Sequence, residues 1–311
     1  MHKQTRAPII LLDFRNLIKL GIEAAPASRT GQVLQLLESD IEIQTLWYMA
    51  NRTSHRAAVN DHGPVHVRTV MQHGDRLLRL LVEAHIQPNC ITDHAMTEDD
   101  ARVVVLLGLA LHDVGMSIHR DRHELLSVPI ALDWLRRKLP PIYAEPQLTV
   151  IISEVVHAVL AHNVNERCLT LEAGIVKVAD ALDMTKGRSR KAINAGKIDI
   201  HSISAAAVEA VRVTRGANKP IRVEVDINNP AAVFHLKEVF GQKLAHSNLE
   251  QYVEVPKLDE LLESLRELGT TADPQRDAQA EATAAGNGRV ESRSVGEPIG
   301  IGRGRVPTTI A

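Results

Sequence analysis

The sequence predicts a mainly α-helical protein: a helical bundle over residues 33–215, a small strand-helix-strand appendage over 216–258 and a disordered tail over 270–311. Three observations carry that expectation. From Val33 almost to Met184 the apolar residues recur every three to four positions, the repeat of amphipathic helices. The period of two that marks a half-buried strand starts only after Pro220. From Thr270 onward there is no aromatic residue, six of the 18 glycines fall there, and Ala, Thr, Glu and Arg fill most of the remainder, a composition too poor in apolar side chains to build a core.

Residues 1–32 read as an N-terminal segment, with a short apolar stretch from Ile9 to Leu20 and a loop from Ala24 to Gly31. A first amphipathic helix carries Val33, Leu34, Leu36, Leu37, Ile41, Ile43, Leu46 and Trp47. A second starts near Pro64, where proline suits the first helical position, and runs through Val67, Val70, Leu77, Leu78 and Leu81. Thr97 is the N-cap of a third, with Glu98, Asp99 and Asp100 favourable to the helix dipole in its first turn. That helix is apolar almost all round from Val103 to Leu111, so it belongs in the middle of a bundle, and Gly115 offers it a place to end. Further helices are expected over His123 to Lys138, Leu148 to Ala161 and Leu171 to Met184. No strand is expected before about Arg215. Ile221, Val223, Val225 and Ile227 then alternate with Arg222, Glu224 and Asp226, followed by a helix over Val233 to Leu244 and a strand over Tyr252 to Val255.

Composition excludes several function classes. With 311 residues, 44% hydrophobic and 24% charged, and a net charge of −2, the chain reads as a soluble globular protein. That balance argues against binding duplex nucleic acid by bulk positive charge. Aromatics make up only 3%, too few for a base-stacking platform. Cys90 and Cys168 form no metal-spacing motif and suit a reducing cytoplasm. The longest apolar run, Val103 to Leu111, is far short of a membrane span, and no signal-peptide pattern is present, so a cytoplasmic location without a membrane role is expected. One number points at chemistry. Eleven of the 15 histidines lie between His55 and His162, and histidine is the commonest metal ligand.

His112-Asp113 stands at the centre of that crowd. An imidazole followed at once by a carboxylate suits a divalent ion, but neighbours on a regular helix diverge by about 100°. Both reach one ion only at a special backbone position such as the helix end that Gly115 permits. His66 lies upstream, and Val178-Ala179-Asp180-Ala181 lies downstream. The ordered set His66, His112-Asp113, Asp180 on successive helices resembles the HD superfamily of metal-dependent phosphohydrolases over roughly His62 to Lys191.

The resemblance implies an HD-domain helical bundle in which His66, His112, Asp113 and Asp180 hold one divalent ion, with Mn, Mg, Co, Fe or Zn as candidates. Such an ion acts as a Lewis acid toward a phosphoryl oxygen and is the source of a bound hydroxide that attacks phosphorus. Members with two metals carry a histidine on each of the next two helices, and His123 and His162 stand at those positions. His157 is the substitute for His162, because the two are about 140° apart around one helix and only one faces the site. The chain has Met116 where the HD-GYP branch often carries lysine, and it lacks a Gly-Tyr-Pro triplet, so that branch does not fit.

His62 precedes His66 by four residues, as in the His-x-x-x-His motif of cyclic-nucleotide phosphodiesterases. It is either the acid that protonates the leaving oxygen, catalytic together with Asp113, or a cap at the helix start. Lys186, Arg188 and Arg190, with Lys191, are either a phosphate-binding cluster or a solvated basic face. The expected activity is hydrolysis of a small phosphoester, nucleotides included, as a phosphohydrolase or phosphodiesterase. Two competing readings remain open from sequence: an HD-fold di-iron oxygenase, and a non-catalytic nucleotide-binding module. The appendage either packs on the bundle or pairs across a homodimer.

Overall fold

A computed structural model describes residues 17–185, 200–258, 260 and 263. The 270–311 tail and the Lys186, Arg188 and Arg190 cluster lie outside the described residues. Among the described residues eight α-helices precede the gap at 186–199: α1 (Arg29–Ser39), α2 (Ile41–Arg56), α3 (Pro64–Glu83), α4 (Asn89–Thr92), α5 (Glu98–Leu111), α6 (His123–Lys138), α7 (Gln147–Ala161) and α8 (Leu171–Leu182). A 3₁₀ turn, Val114–Ser117, joins α5 to the chain leading into α6.

α5 is the axis of the bundle. It opens with a capping box: the Thr97 side chain accepts from the Asp100 N–H, and the Asp100 carboxylate accepts from the Thr97 N–H. Val103 to Leu107 and Leu109 to Leu111 are then buried on every side against α1, α3, α7 and α8. The Trp47 indole of α2 donates to the Ala110 carbonyl at 2.7 Å, tying α2 to the end of α5 beside the site. Asp99 accepts the Arg29 N–H at the start of α1 at 2.8 Å, so the first turn of α5 caps its neighbour.

The sequence reads one helix from Val33 to Trp47, whereas the chain breaks at Asp40 into α1 and α2. Asp40 is extended, ends α1, and accepts the Ile43 N–H as N-cap of α2; Lys138 and the Trp134 indole secure the same carboxylate. The apolar periodicity runs on through the break because both helices turn the same face inward, and so it hides the break.

After the gap come α9 (Ile200–Ala206), β1 (Val208–Arg215), β2 (Ile221–Ile227), α10 (Ala232–Phe234), a π-helical stretch (His235–Gly241), α11 (Gln242–Ala245), a 3₁₀ turn (Glu250–Tyr252) and β3 (Val253–Glu254). β2, the helical segment and β3 lie where the alternation places them. β1 corrects the expectation of no strand before Arg215. It pairs antiparallel with β2, Val211 opposite Val225 and Val213 opposite Val223, and β2 pairs parallel with β3. Its residues are mostly half-exposed on both faces, so burial imposes no clean alternation on its sequence. The sheet thus begins at Val208, and the hairpin spans residue 216, where the appendage is expected to start. All described residues except Glu263 lie in one compact unit, Met1–Leu261. Among the described residues no helix is long and apolar enough to cross a membrane.

Gly115 is the tightest point between the 3₁₀ turn and α6. A Cβ there would lie 2.1 Å from the His123 carbonyl oxygen and 2.6 Å from the Ser127 nitrogen, both backbone atoms. Gly115→Ala is therefore expected to destabilise the fold by about 1–3 kcal/mol or more, read as a fall in Tm. Gly241→Ala, whose new Cβ would approach nothing nearer than 3.3 Å, is expected to cost clearly less.

Candidate metal centre

Six side chains converge where helices start and stop. His66 is on the first turn of α3, His112 is the C-cap of α5, and Asp113 opens the 3₁₀ turn. His123 is the first residue of α6, His162 the C-cap of α7, and Asp180 lies in the last turn of α8. All six are buried. The helix end after His112 lets adjacent residues face one point, and Ser127 locks it: its hydroxyl accepts from the Gly115 N–H at 2.8 Å and donates to the His112 carbonyl at 2.6 Å.

Two groups of ligand atoms form, and Asp113 belongs to both. His66, His112, Asp113 and Asp180 make one; Asp113, His123 and His162 make the other. Oδ2 of Asp113 is 3.4 Å from His66 Nε2 and 3.1 Å from His112 Nε2. Oδ1 is 3.0 Å from His123 Nε2 and 3.6 Å from His162 Nε2. Asp180 Oδ1 completes the first group, 3.3 Å from His66 Nε2 and 3.7 Å from His112 Nε2.

The other ring nitrogens explain why every Nε2 faces inward. Nδ1 of His112 donates to the Leu109 carbonyl at 2.7 Å and that of His162 to the Val159 carbonyl at 2.5 Å, while Nδ1 of His123 lies 3.0 Å from both the carbonyl and the guanidinium of Arg120. His66 Nδ1 donates to the Asp183 carboxylate at 2.6 Å. A carbonyl only accepts, so these bonds place a proton on Nδ1 and turn Nε2 toward the carboxylates. His66 and His112 bring their Nε2 atoms within 3.2 Å of each other beside two carboxylates. Nitrogens and carboxylate oxygens packed together in this way, buried, need positive charge among them, as a proton or as a metal ion. The orphaned Oδ2 of Asp113 and Nε2 of His162, which make no aligned hydrogen bond, agree. The residues present therefore fit a divalent-metal site.

Protonation reflects the same crowding. Burial opposes charge on His112, but the Asp113 and Asp180 carboxylates outweigh it and raise its pKa to about 9. Burial pushes both carboxyls upward, yet both are held well below the usual carboxylate range, Asp113 chiefly by His112 and His62 and Asp180 chiefly by Lys243 and His112. Burial lowers the pKa of His162.

His62 is near the centre but not on the helix. α3 begins at Pro64 with Gly63 as its cap, so His62 stands neither a turn before His66 on one helix face nor at the N-cap. Its Nδ1 donates to the Asn60 carbonyl at 2.7 Å, and its ring lies 5.8 Å from that of His66 and 5.9 Å from that of His123. His157 points elsewhere, its Nε2 accepting the Leu169 N–H at 3.0 Å, so His162 is the member of the pair in the cluster. Sequence reasoning misses two participants. Asp183 orients His66, and its place three residues after Asp180 is a usable signal. Lys243, whose ammonium donates to Asp180 Oδ2, comes from the appendage with no local signal.

Comparison with known proteins adds an independent finding. The HD domain family matches residues 66–185. An uncharacterized protein of Methanocaldococcus jannaschii is 41% identical over 200 residues, which cover 64% of this chain and 77% of the relative. No solved structure matches the chain at a significant level.

The geometry sets two expected outcomes. Below about pH 9 an incoming ion displaces the Nε2 proton of His112, so metal affinity of the stripped protein is expected to rise by up to about tenfold per pH unit between roughly pH 7 and 8.5 and to flatten above 9. Calorimetric or chelator-competition titration reads this, and affinity independent of pH contradicts it. Asp183→Asn removes the carboxylate behind His66 and is expected to weaken metal binding about 10- to 100-fold while the helical circular dichroism stays unchanged.

Proposed function

The chain belongs to the HD-domain superfamily of metal-dependent phosphohydrolases, and from that premise we propose that it hydrolyses a phosphoester of a nucleotide or another small phosphorylated metabolite. The carrying observation is the double role of Asp113, whose two oxygens face separate sets of imidazole nitrogens. His66, His112, Asp113 and Asp180 would hold one ion, and Asp113, His123 and His162 would hold a second. Imidazole with carboxylate and no thiolate favours Mn, Fe, Co or Zn over Mg. When bound, such ions supply Lewis acidity toward a phosphoryl oxygen and acidify water.

The chain's own residues set direction and proton supply. His112 and His66 are sealed from solvent, whereas His62 and Asp180, at 8% and 7% exposed, are the outermost members, so substrate approaches from their side. With Nδ1 committed to the Asn60 carbonyl, the proton that His62 has to give is the one on Nε2. His62 is also one of the groups that hold the Asp113 carboxyl low, so the two lie within electrostatic reach of each other. His62 thereby serves as the acid for the leaving oxygen, and the buried walls around His112 keep bulk water from competing.

A panel of phosphoesters assayed with Mn, Co, Mg and Ni, paired with elemental analysis of the purified protein, tests metal and reaction together. Ion-dependent turnover that disappears in Asp113→Ala is expected; metal-loaded protein inert toward the whole panel overturns the reading. His62→Gln is expected to keep its metal and to lose on the order of 10²- to 10⁴-fold in turnover of an alkyl or sugar ester, with little loss on a nitrophenyl ester whose leaving group needs no proton. Equal losses on both substrates rule out the acid.

A further inference from the structure

Lys243 reaches the metal centre from outside the helical bundle. It lies on α11, and its ammonium donates to Asp180 Oδ2, whereas Asp180 Oδ1 is the oxygen that faces His66 and His112. The lysine therefore sits beside the ligand set and not within it. We propose that Lys243 binds the anionic oxygens of the substrate's phosphoryl group, which makes the segment around α11 a wall of the active site; the proposal rests on the phosphoester reading above.

The turn that follows the lysine is fastened to the bundle. Immediately after Lys243, His246 Nδ1 donates to the Val164 carbonyl at 2.7 Å, the Cys168 N–H donates to the His246 carbonyl at 3.0 Å, and the Asn248 amide donates to the Cys168 carbonyl at 2.5 Å. These bonds fasten the turn to the α7–α8 loop. Gly174 lets the same turn lie directly on α8, the helix that carries Asp180, since a Cβ there would come 2.2 Å from the Ser247 carbonyl oxygen. The π-helical stretch just before α11 widens the spiral, a deformation frequent at functional sites.

Charge supplies the purpose. Asp113, Asp180 and Asp183 place three carboxylates around the centre, and a phosphate arriving beside Asp180 meets like charge unless a cation intervenes. An ammonium has three donors, so Lys243 can keep Asp180 Oδ2 and still offer hydrogens to a phosphoryl oxygen. Its side chain is 15% exposed, which leaves it open toward solvent, and its charge is also felt at His162, so it lies within reach of both ligand groups. A cation in this place favours a terminal phosphate, a monoester dianion, over a singly charged diester.

The test uses the full-length, metal-loaded protein and inorganic phosphate as probe. Lys243→Met is expected to keep its metal content and to bind phosphate about 10- to 100-fold more weakly by calorimetry, with Lys243→Arg restoring most of the loss. In the unaltered protein, saturating phosphate is expected to slow acetylation of Lys243 at least several-fold, read by mass spectrometry; this arm stands even if Lys243→Met fails to fold. Unchanged phosphate binding in Lys243→Met, loss of its metal, or an acetylation rate indifferent to phosphate each overturns the proposal while leaving the hydrolase reading in place. Unaltered metal-loaded protein that binds no phosphate overturns both.

Discussion

Everything in the molecule is arranged around one buried carboxylate. Asp113 is 4% exposed, and each of its oxygens faces a pair of imidazole nitrogens. A bare ionised carboxylate at such a depth would cost several kcal/mol, and a cluster of lone pairs around it would repel rather than offset that cost. The cost is borne only because opposite charge enters the same space, as protons on histidine in the empty site or as metal in the filled one. The apolar bulk of α5 serves this requirement. A helix buried on all sides has no freedom to slide, so the position of its last residue is set by packing, and the cluster inherits that accuracy.

Much of this was legible in the sequence. His112-Asp113 followed by Gly115, the Thr97 N-cap and the alternation of Ile221 to Ile227 each rest on short-range chemistry, and each lies where that chemistry puts it. The departures share a cause, which is that tertiary partners decide them. The break at Asp40 depends on Trp134 and Lys138, far along the chain. β1 exists because β2 pairs with it, and its own half-exposed residues carry little pattern. His62 keeps its place near His66 through the Asn60 carbonyl and not through helix periodicity. Lys243 joins Asp180 across sixty-three positions, beyond the reach of any local spacing argument. The basic residues Lys186, Arg188 and Arg190, the cations that sequence spacing does point to, lie outside the described structure.

The appendage acquires a reason to exist from this. Two strands and a short helix bury too little surface to be stable alone, and a third strand with a turn fastened onto the α7–α8 loop lets them borrow stability from the bundle. In exchange the bundle gains the Lys243 ammonium at Asp180. Bundle and appendage thus contribute to a single centre, the first offering metal ligands and the second a cation.

Two of the metal-site histidines hold their rings by donating to a carbonyl three residues earlier in the chain, at Leu109 and Val159. A main-chain acceptor survives any substitution at those two positions. Ligand orientation at His112 and His162 is thereby insulated from mutational drift, and selection is free to rework the surrounding side chains for a new substrate without disturbing the chemistry. His66 leans on a side chain instead, Asp183. A single codon at that position can therefore adjust how strongly His66 donates electrons.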